Sequence, residues 1–227
     1  MNHRRIGVLL SGSGVHDGSE IHEAVLTLLA LDRRGAEAVC MAPDVDQIDV
    51  IDHLTVRRSQ QKRNVLTESA RIARGRISPI REIEPVDLDG LVIPGGFGAA
   101  KNLCTYAADG RKCRVDPDVR RLLLALHEQK KPIAALCIAP VILASVFGKK
   151  HRPQVTAGKD LDIMNDLGAM GARPQAAEST QISVDRENRL VTTPAYMGTE
   201  RLAEVAVGIE KAVEAVLAMA PEPELAV

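Results

Sequence analysis

Cys137 stands in Ile133-Ala-Ala-Leu-Cys137-Ile-Ala-Pro140, where a short apolar run meets a proline suited to the first turn of a helix. A side chain on such a strand-to-helix elbow stands above the edge of a sheet, on backbone that is often strained. Small neighbours such as Ala139 let the chain pack tightly there. The free N–H groups at a helix start lower a thiol pKa and can hold a developing oxyanion, so the expected form is a thiolate and the expected chemistry nucleophilic. A buried structural thiol is the competing reading, because free cysteine is among the most buried residue types.

Two further groups could serve that sulfur. Pro94-Gly95-Gly96 ends an apolar run just as Leu136 does, so a Gly96 N–H could act as an oxyanion donor beside that of Ile138. An ordinary glycine-rich turn accounts for the same residues. Gly18-Ser-Glu20-Ile-His-Glu23 adds a carboxylate pair at the start of a helix. Glu20 reads as a complement to the helix dipole. Glu23, flanked by Ile21, Ala24 and Val25, reads as facing inward, where a carboxylate with a burial-raised pKa can take and return a proton.

The elements that must position these groups alternate along the chain. Ile6–Leu10 is a short apolar strand, Ser19 to Arg34 a helix with Ser19 as its cap and Ile21, Val25, Leu28 and Leu29 as its apolar face, and Ala36–Met41 a second strand. That βαβ unit implies a parallel sheet. Residues 44–85 form an elaboration with a helix from Asn64 to Arg74. Leu88–Ile93 and Pro132–Leu136 are strands, and helices start at Pro117 and at Pro140, the latter stopped by Gly148. Short strands are expected at 155–157, 181–184 and 190–193, a helix near 160–167, and a closing helix from Thr199 with Leu202, Val205, Ala206, Ile209, Val213 and Val216 on one side. The expected fold is α/β, an open, mostly parallel sheet with helices on both faces, over residues 1–220, with 221–227 as a frayed tail. Sites in such sheets lie past the carboxyl ends of the strands.

Composition narrows the partners. Twenty-nine basic residues against thirty acidic ones leave no basic footprint for nucleic acid and no polybasic patch for a membrane. Four scattered cysteines without CxxC spacing read as reduced thiols, with no metal site expected. The N-terminus shows neither an apolar signal core nor a cleavage site, and the expected location is cytoplasmic. A small-molecule substrate follows as the expected ligand.

Ser11-Gly-Ser-Gly-Val-His-Asp-Gly-Ser-Glu-Ile-His-Glu-Ala-Val25, Ile93-Pro-Gly-Gly-Phe-Gly-Ala-Ala-Lys-Asn102, Cys137-Ile-Ala-Pro140 and Thr192-Thr-Pro-Ala-Tyr-Met197 together resemble the ElbB group. This group, called isoprenoid biosynthesis proteins with an amidotransferase-like domain, belongs to the ThiJ/PfpI branch of the class I glutamine amidotransferase-like superfamily. The resemblance spans nearly the whole chain and implies a flavodoxin-like three-layer sandwich, Cys137 as nucleophile, Glu23 as its paired carboxylate, and Gly96 and Ile138 as oxyanion-hole amides. It further implies a homodimer and a glyoxalase activity on a small aldehyde, needing no glutathione, metal or other cofactor. The chain departs from the wider superfamily at Gly158, where many members carry a histidine, and at His16, where an aromatic residue is expected. His151, in a Lys-Lys-His-Arg turn, is expected to be solvated.

Other readings compete. Gly12-x-Gly14 after the first strand hints at a dinucleotide site, but Asp17 at the third glycine position would set a negative charge against a pyrophosphate. A non-enzymatic protein using Cys137 as a redox-sensing thiol has the same residues.

Overall fold

Residues 3–221 are described by a computed structural model, and the expected tail lies outside them apart from Pro221. Strand β1 (Arg5–Leu9), helix α1 (Ile21–Arg33) and β2 (Glu37–Ala42) form the parallel βαβ unit that the spacing predicts. The elaboration contains an unforeseen antiparallel hairpin, β3 (Val50–Asp52) with β4 (Arg57–Ser59), then α2 (Val65–Ile72) capped by Asn64, and the short edge strand β5 (Ser78–Pro79). After β6 (Gly90–Ile93) come α3 (Phe97–Lys101), α4 (Tyr106–Asp109) and α5 (Pro117–Glu128). Strand β7 (Ile133–Leu136) leads into α6 (Pro140–His151). The chain closes with β8 (Gln154–Val155), α7 (Leu161–Ala169), β9 (Arg173–Pro174), β10 (Ser183–Asp185), β11 (Leu190–Thr193) and α8 (Leu202–Met219).

The central sheet has seven strands in the order β10-β11-β7-β6-β1-β2-β5, parallel except for β10. Its pleat splits the core in two. Leu91 and Ile93 face the layer under α5 and α6 with Leu122, Leu126, Ile142 and Phe147. Ile6, Val8, Val92 and Ala134 face the opposite layer with Val205, Ile209, Val213 and Val216 of α8. Helices therefore cover both faces, as the alternation of elements requires.

Three local expectations are corrected. Helix α1 is capped by the Glu20 carboxylate, which accepts the Glu23 N–H at 2.7 Å, while Ser19 Oγ turns away to accept the Ser11 N–H. The buried face of α1 is Glu23, Ala24, Thr27, Ala30 and Leu31. Ile21, Val25 and Leu29 are 42%, 47% and 39% exposed, so most of the expected apolar stripe points outward and only Leu28 packs partly against the core. Finally, α6 runs through Gly148 to His151, and the glycine is required there by packing: a Cβ would lie 2.2 Å from the Met170 carbonyl oxygen. Among the described residues no helix is long and apolar enough to cross a membrane.

Candidate active site

The neighbouring parallel strands β11, β7, β6 and β1 deliver four loops to one edge of the sheet. Cys137 is the first residue past β7 and adopts φ 58°, a left-handed conformation costing a non-glycine residue about 1–2 kcal/mol. Its N–H donates to the Thr193 carbonyl at 3.0 Å, and Ala139 N–H closes the elbow onto the Leu136 carbonyl at 2.9 Å. The chain turns at once into α6 with Pro140 in its first turn, as the sequence predicts.

Glu23 comes from α1 and is fully buried. Its Oε2 accepts the Gly95 N–H at 2.8 Å, its Oε1 accepts the Tyr196 N–H at 3.4 Å, and the carboxylate is hydrogen-bonded to the Cys137 thiol. The N–H groups of Gly96 and Ile138 both point at the Cys137 sulfur. All four predicted residues thus meet at one point.

Glycine is obligatory in this turn. A Cβ on Gly95 would lie 2.4 Å from the Cys137 Cβ and 2.9 Å from Glu23 Oε2. One on Gly96, at φ 90°, would lie 2.4 Å from the Glu20 nitrogen. The Glu20 N–H in turn donates to the Gly95 carbonyl at 2.9 Å, which ties the start of α1 to the glycine turn.

The electrostatics overturn the expectation of a resting thiolate. Burial, followed by the negative charge of Glu23, pushes the Cys137 thiol well above the ordinary thiol range, and the Gly96 and Ile138 amides oppose the shift without reversing it. Burial also pushes Glu23 up to about 7, against the Gly95 N–H that pulls it down, with the nearby Glu20 adding to the rise. Desolvation is the largest contribution and outweighs the amides at the helix start. The pair keeps a proton between sulfur and carboxylate, with Glu23 poised near neutrality to accept it.

That shift is also a stability cost. Glu23 has a folded pKa of about 7 against an ordinary value of 4.5, so its penalty is absent below pH 4.5, grows as pH rises between the two values and is constant above 7. Glu23→Gln is expected to raise unfolding free energy by up to about 3 kcal/mol at pH 8 and by little at pH 4.5. Denaturant titrations of both proteins at the two pH values check this, and a gain independent of pH would contradict it.

Sequence reasoning missed Tyr196 and His22. Ala195, another non-glycine residue in the left-handed region at φ 47°, turns the Tyr196 N–H toward Glu23. The Tyr196 hydroxyl pairs with His22 Nδ1 at 2.7 Å, and His22 Nδ1 lies 3.8 Å from Glu20 Oε1. Tyr196 follows the end of a strand in the same sheet edge, the one signal that pointed to it.

The residues held in question are also placed. His16 packs against His53 of the loop after β3 and against Phe97, with ring centroids 5.0 and 6.4 Å apart. His151 is half-buried against His127 at 4.5 Å and Phe147 at 6.0 Å, which corrects its expected place in a solvated turn. It ends α6, roughly 18 Å along the helix from Cys137. Gly158, at φ 97°, packs against Met197 and offers no imidazole at the position where the resemblance implies a histidine in many members. Among the described residues no group of three or more His, Cys, Asp or Glu side chains is placed to hold a metal ion.

Residues 13–196 match the model of the DJ-1/PfpI family. The human glutamine amidotransferase-like class 1 domain-containing protein 3, mitochondrial, is 43% identical over 94% of this chain and 82% of its own length. The crystal structure of an isoprenoid biosynthesis protein with amidotransferase-like domain from Ehrlichia chaffeensis superposes with a TM-score of 0.89 at 34% identity, covering 95% of this chain and 99% of that one. Glyoxalase III from Candida albicans shares the fold, with a TM-score of 0.62 at 15% identity over 97% of this chain and 98% of its own. The cytoplasmic location expected from the N-terminus is corrected by the human relative, which is named mitochondrial. The residues of a folded domain do not record its compartment. The match over residues 13–196 takes in Glu23, the Gly95-Gly96 turn, the Cys137 elbow and Tyr196, and the chain belongs to the DJ-1/PfpI family.

Proposed function

We propose that this protein is a cofactor-independent glyoxalase that converts glyoxal, or a similarly small 2-oxoaldehyde, to a hydroxy acid through a thiohemiacetal on Cys137. The observation that carries the reading is the hydrogen-bonded pair of Cys137 and buried Glu23 beneath two amides that point at the sulfur. A nucleophile, a proton carrier with a pKa of about 7 and an oxyanion cradle are what addition to an aldehyde needs. The fold shared with a glyoxalase III is consistent with this reading.

The steps balance without an external oxidant. As the sulfur adds to one aldehyde carbon, its proton passes to Glu23, and the new alkoxide is held by the Gly96 and Ile138 N–H groups until it is protonated. Glu23, again ionised, takes the hydrogen from the sulfur-bearing carbon, and a proton returns to the neighbouring carbon. One carbon is oxidised to a thioester and the other reduced to an alcohol. Water then cleaves the carbon–sulfur bond, releasing glycolate and restoring the thiol. Burial of the resting thiol weighs against the sensor reading, because sensor cysteines are accessible and of low pKa.

The test is proton NMR of glyoxal incubated with the protein in deuterated water, without glutathione or added metal. Glycolate should accumulate with deuterium on its hydroxymethyl carbon. Absence of glycolate at any protein concentration would remove the proposal.

A further inference from the structure

Away from Cys137, two other cysteines are built into one unit. Cys104 follows α3 and pairs with Val115 in an isolated antiparallel bridge, flanked by Thr105 N–H to the Arg114 carbonyl and Asp116 N–H to the Leu103 carbonyl, each 2.9 Å. Cys113 lies two residues before Val115, so it shares that residue's face and sits diagonally across from Cys104. The two thiols are in contact, Cys113 packing against the apolar cluster that holds Cys104. Their environments differ sharply. Cys104 is buried, its sulfur 3.3 Å from the Ala99 carbonyl oxygen. Cys113 is half-buried and opens on a cavity of about 580 Å³ that is also lined by Arg111, Lys112, Lys149 and Ser145.

We propose that Cys113 and Cys104 form a reversible redox centre, in which a hydroperoxide oxidises Cys113 and Cys104 resolves it to an intramolecular disulfide. Cys113, the more accessible member, has the attributes of an attacking thiol: it opens on the cavity through which a peroxide arrives, and three cations stand around that cavity. Contact with Cys104 lowers the Cys113 thiol below the ordinary range, while the same contact and burial raise Cys104. Cys40, by contrast, is pushed up to about 11 by burial, which makes it an internal control.

The chemistry is a two-electron exchange. The Cys113 thiolate attacks one peroxide oxygen, a sulfur–oxygen bond forms, the oxygen–oxygen bond breaks, and hydroxide or alkoxide leaves to be protonated. Cys104 then attacks the sulfenic sulfur. The sulfur–sulfur bond forms, the sulfur–oxygen bond breaks, and water departs with the Cys104 proton. A dithiol reductant reverses the change.

Graded hydrogen peroxide at pH 7, alkylation of the remaining thiols and a non-reducing tryptic digest of the full chain test this. Cleavage after Lys101, Arg111, Lys112 and Arg114 separates the two cysteines, so the disulfide appears as Asn102–Arg111 joined to Cys113–Arg114. It should form at a peroxide dose at least about tenfold below that which oxidises Cys40, and dithiothreitol should release it. In Cys104→Ala, dimedone should trap Cys113 as the sulfenic acid, and in Cys113→Ala, Cys104 should stay reduced. The wild-type digest stands even if a variant misfolds. Cys113 passing directly to sulfinic acid, remaining unmodified while Cys40 oxidises, or linking only between chains would overturn the proposal.

Discussion

Cys137→Ser is expected to abolish glyoxal turnover to the level of the buffer blank while leaving the fold intact. Serine is nearly isosteric, keeps the N–H donated to Thr193 and can occupy the same left-handed backbone. What it lacks is acidity. A carboxylate titrating near 7 can take the proton of a thiol during attack but not that of an alcohol whose pKa is far higher. The measurement is glycolate formation beside a thermal melt of the same sample. A variant with an unchanged melt and surviving turnover would place the chemistry elsewhere.

Glu23→Gln is expected to lower kcat by a factor on the order of 10²–10⁴, the range typical of a lost proton carrier. The wild-type kcat/KM should fall about tenfold per pH unit below about 7, because a protonated Glu23 can no longer accept the thiol proton, and this limb should vanish in the variant. Alkylation of Cys137 should behave oppositely to turnover. The Glu23 charge raises the thiol pKa, so its removal should shift the midpoint of iodoacetamide labelling to lower pH. Nucleophilicity and catalysis would thereby separate. Equal loss of labelling and turnover would mean that glutamine had collapsed the site, and the raised stability expected at pH 8 distinguishes that case.

The resting thiol bears on how such elbows are understood. Helix-start amides alone argue for an ionised sulfur, and two amides do point at it here. Because Cys137 is only 7% exposed and a second acidic group touches it, desolvation and repulsion outweigh those amides. The proton is then transferred on attack, to a partner already matched to neutral pH, which limits non-productive oxidation of the nucleophile. The pair of Cys113 and Cys104 has the converse arrangement, with its attacking thiol opening on a cavity lined by cations.

Much of this was legible in the sequence by itself. Short apolar runs alternating with helical patterns determined the parallel sheet, because strands covered by helices on both faces are built mainly from apolar residues. Proline and glycine at Pro140 and Gly95-Gly96 marked the elbow and the turn, because proline suits a first helical turn and glycine permits close approach and positive φ. Glu23 was legible as a carboxylate among apolar neighbours, although most of the face assigned to its helix points outward: the buried side includes Ala24, Thr27 and Ala30, small residues that a hydrophobic pattern weights weakly. The tertiary structure alone decided the rest. The strand order brings Tyr196 to Glu23 across 173 residues, and only the resulting burial sets the pKa values of the pair. Burial is a property of what surrounds a group in space, and those surroundings come from parts of the chain that no local window contains.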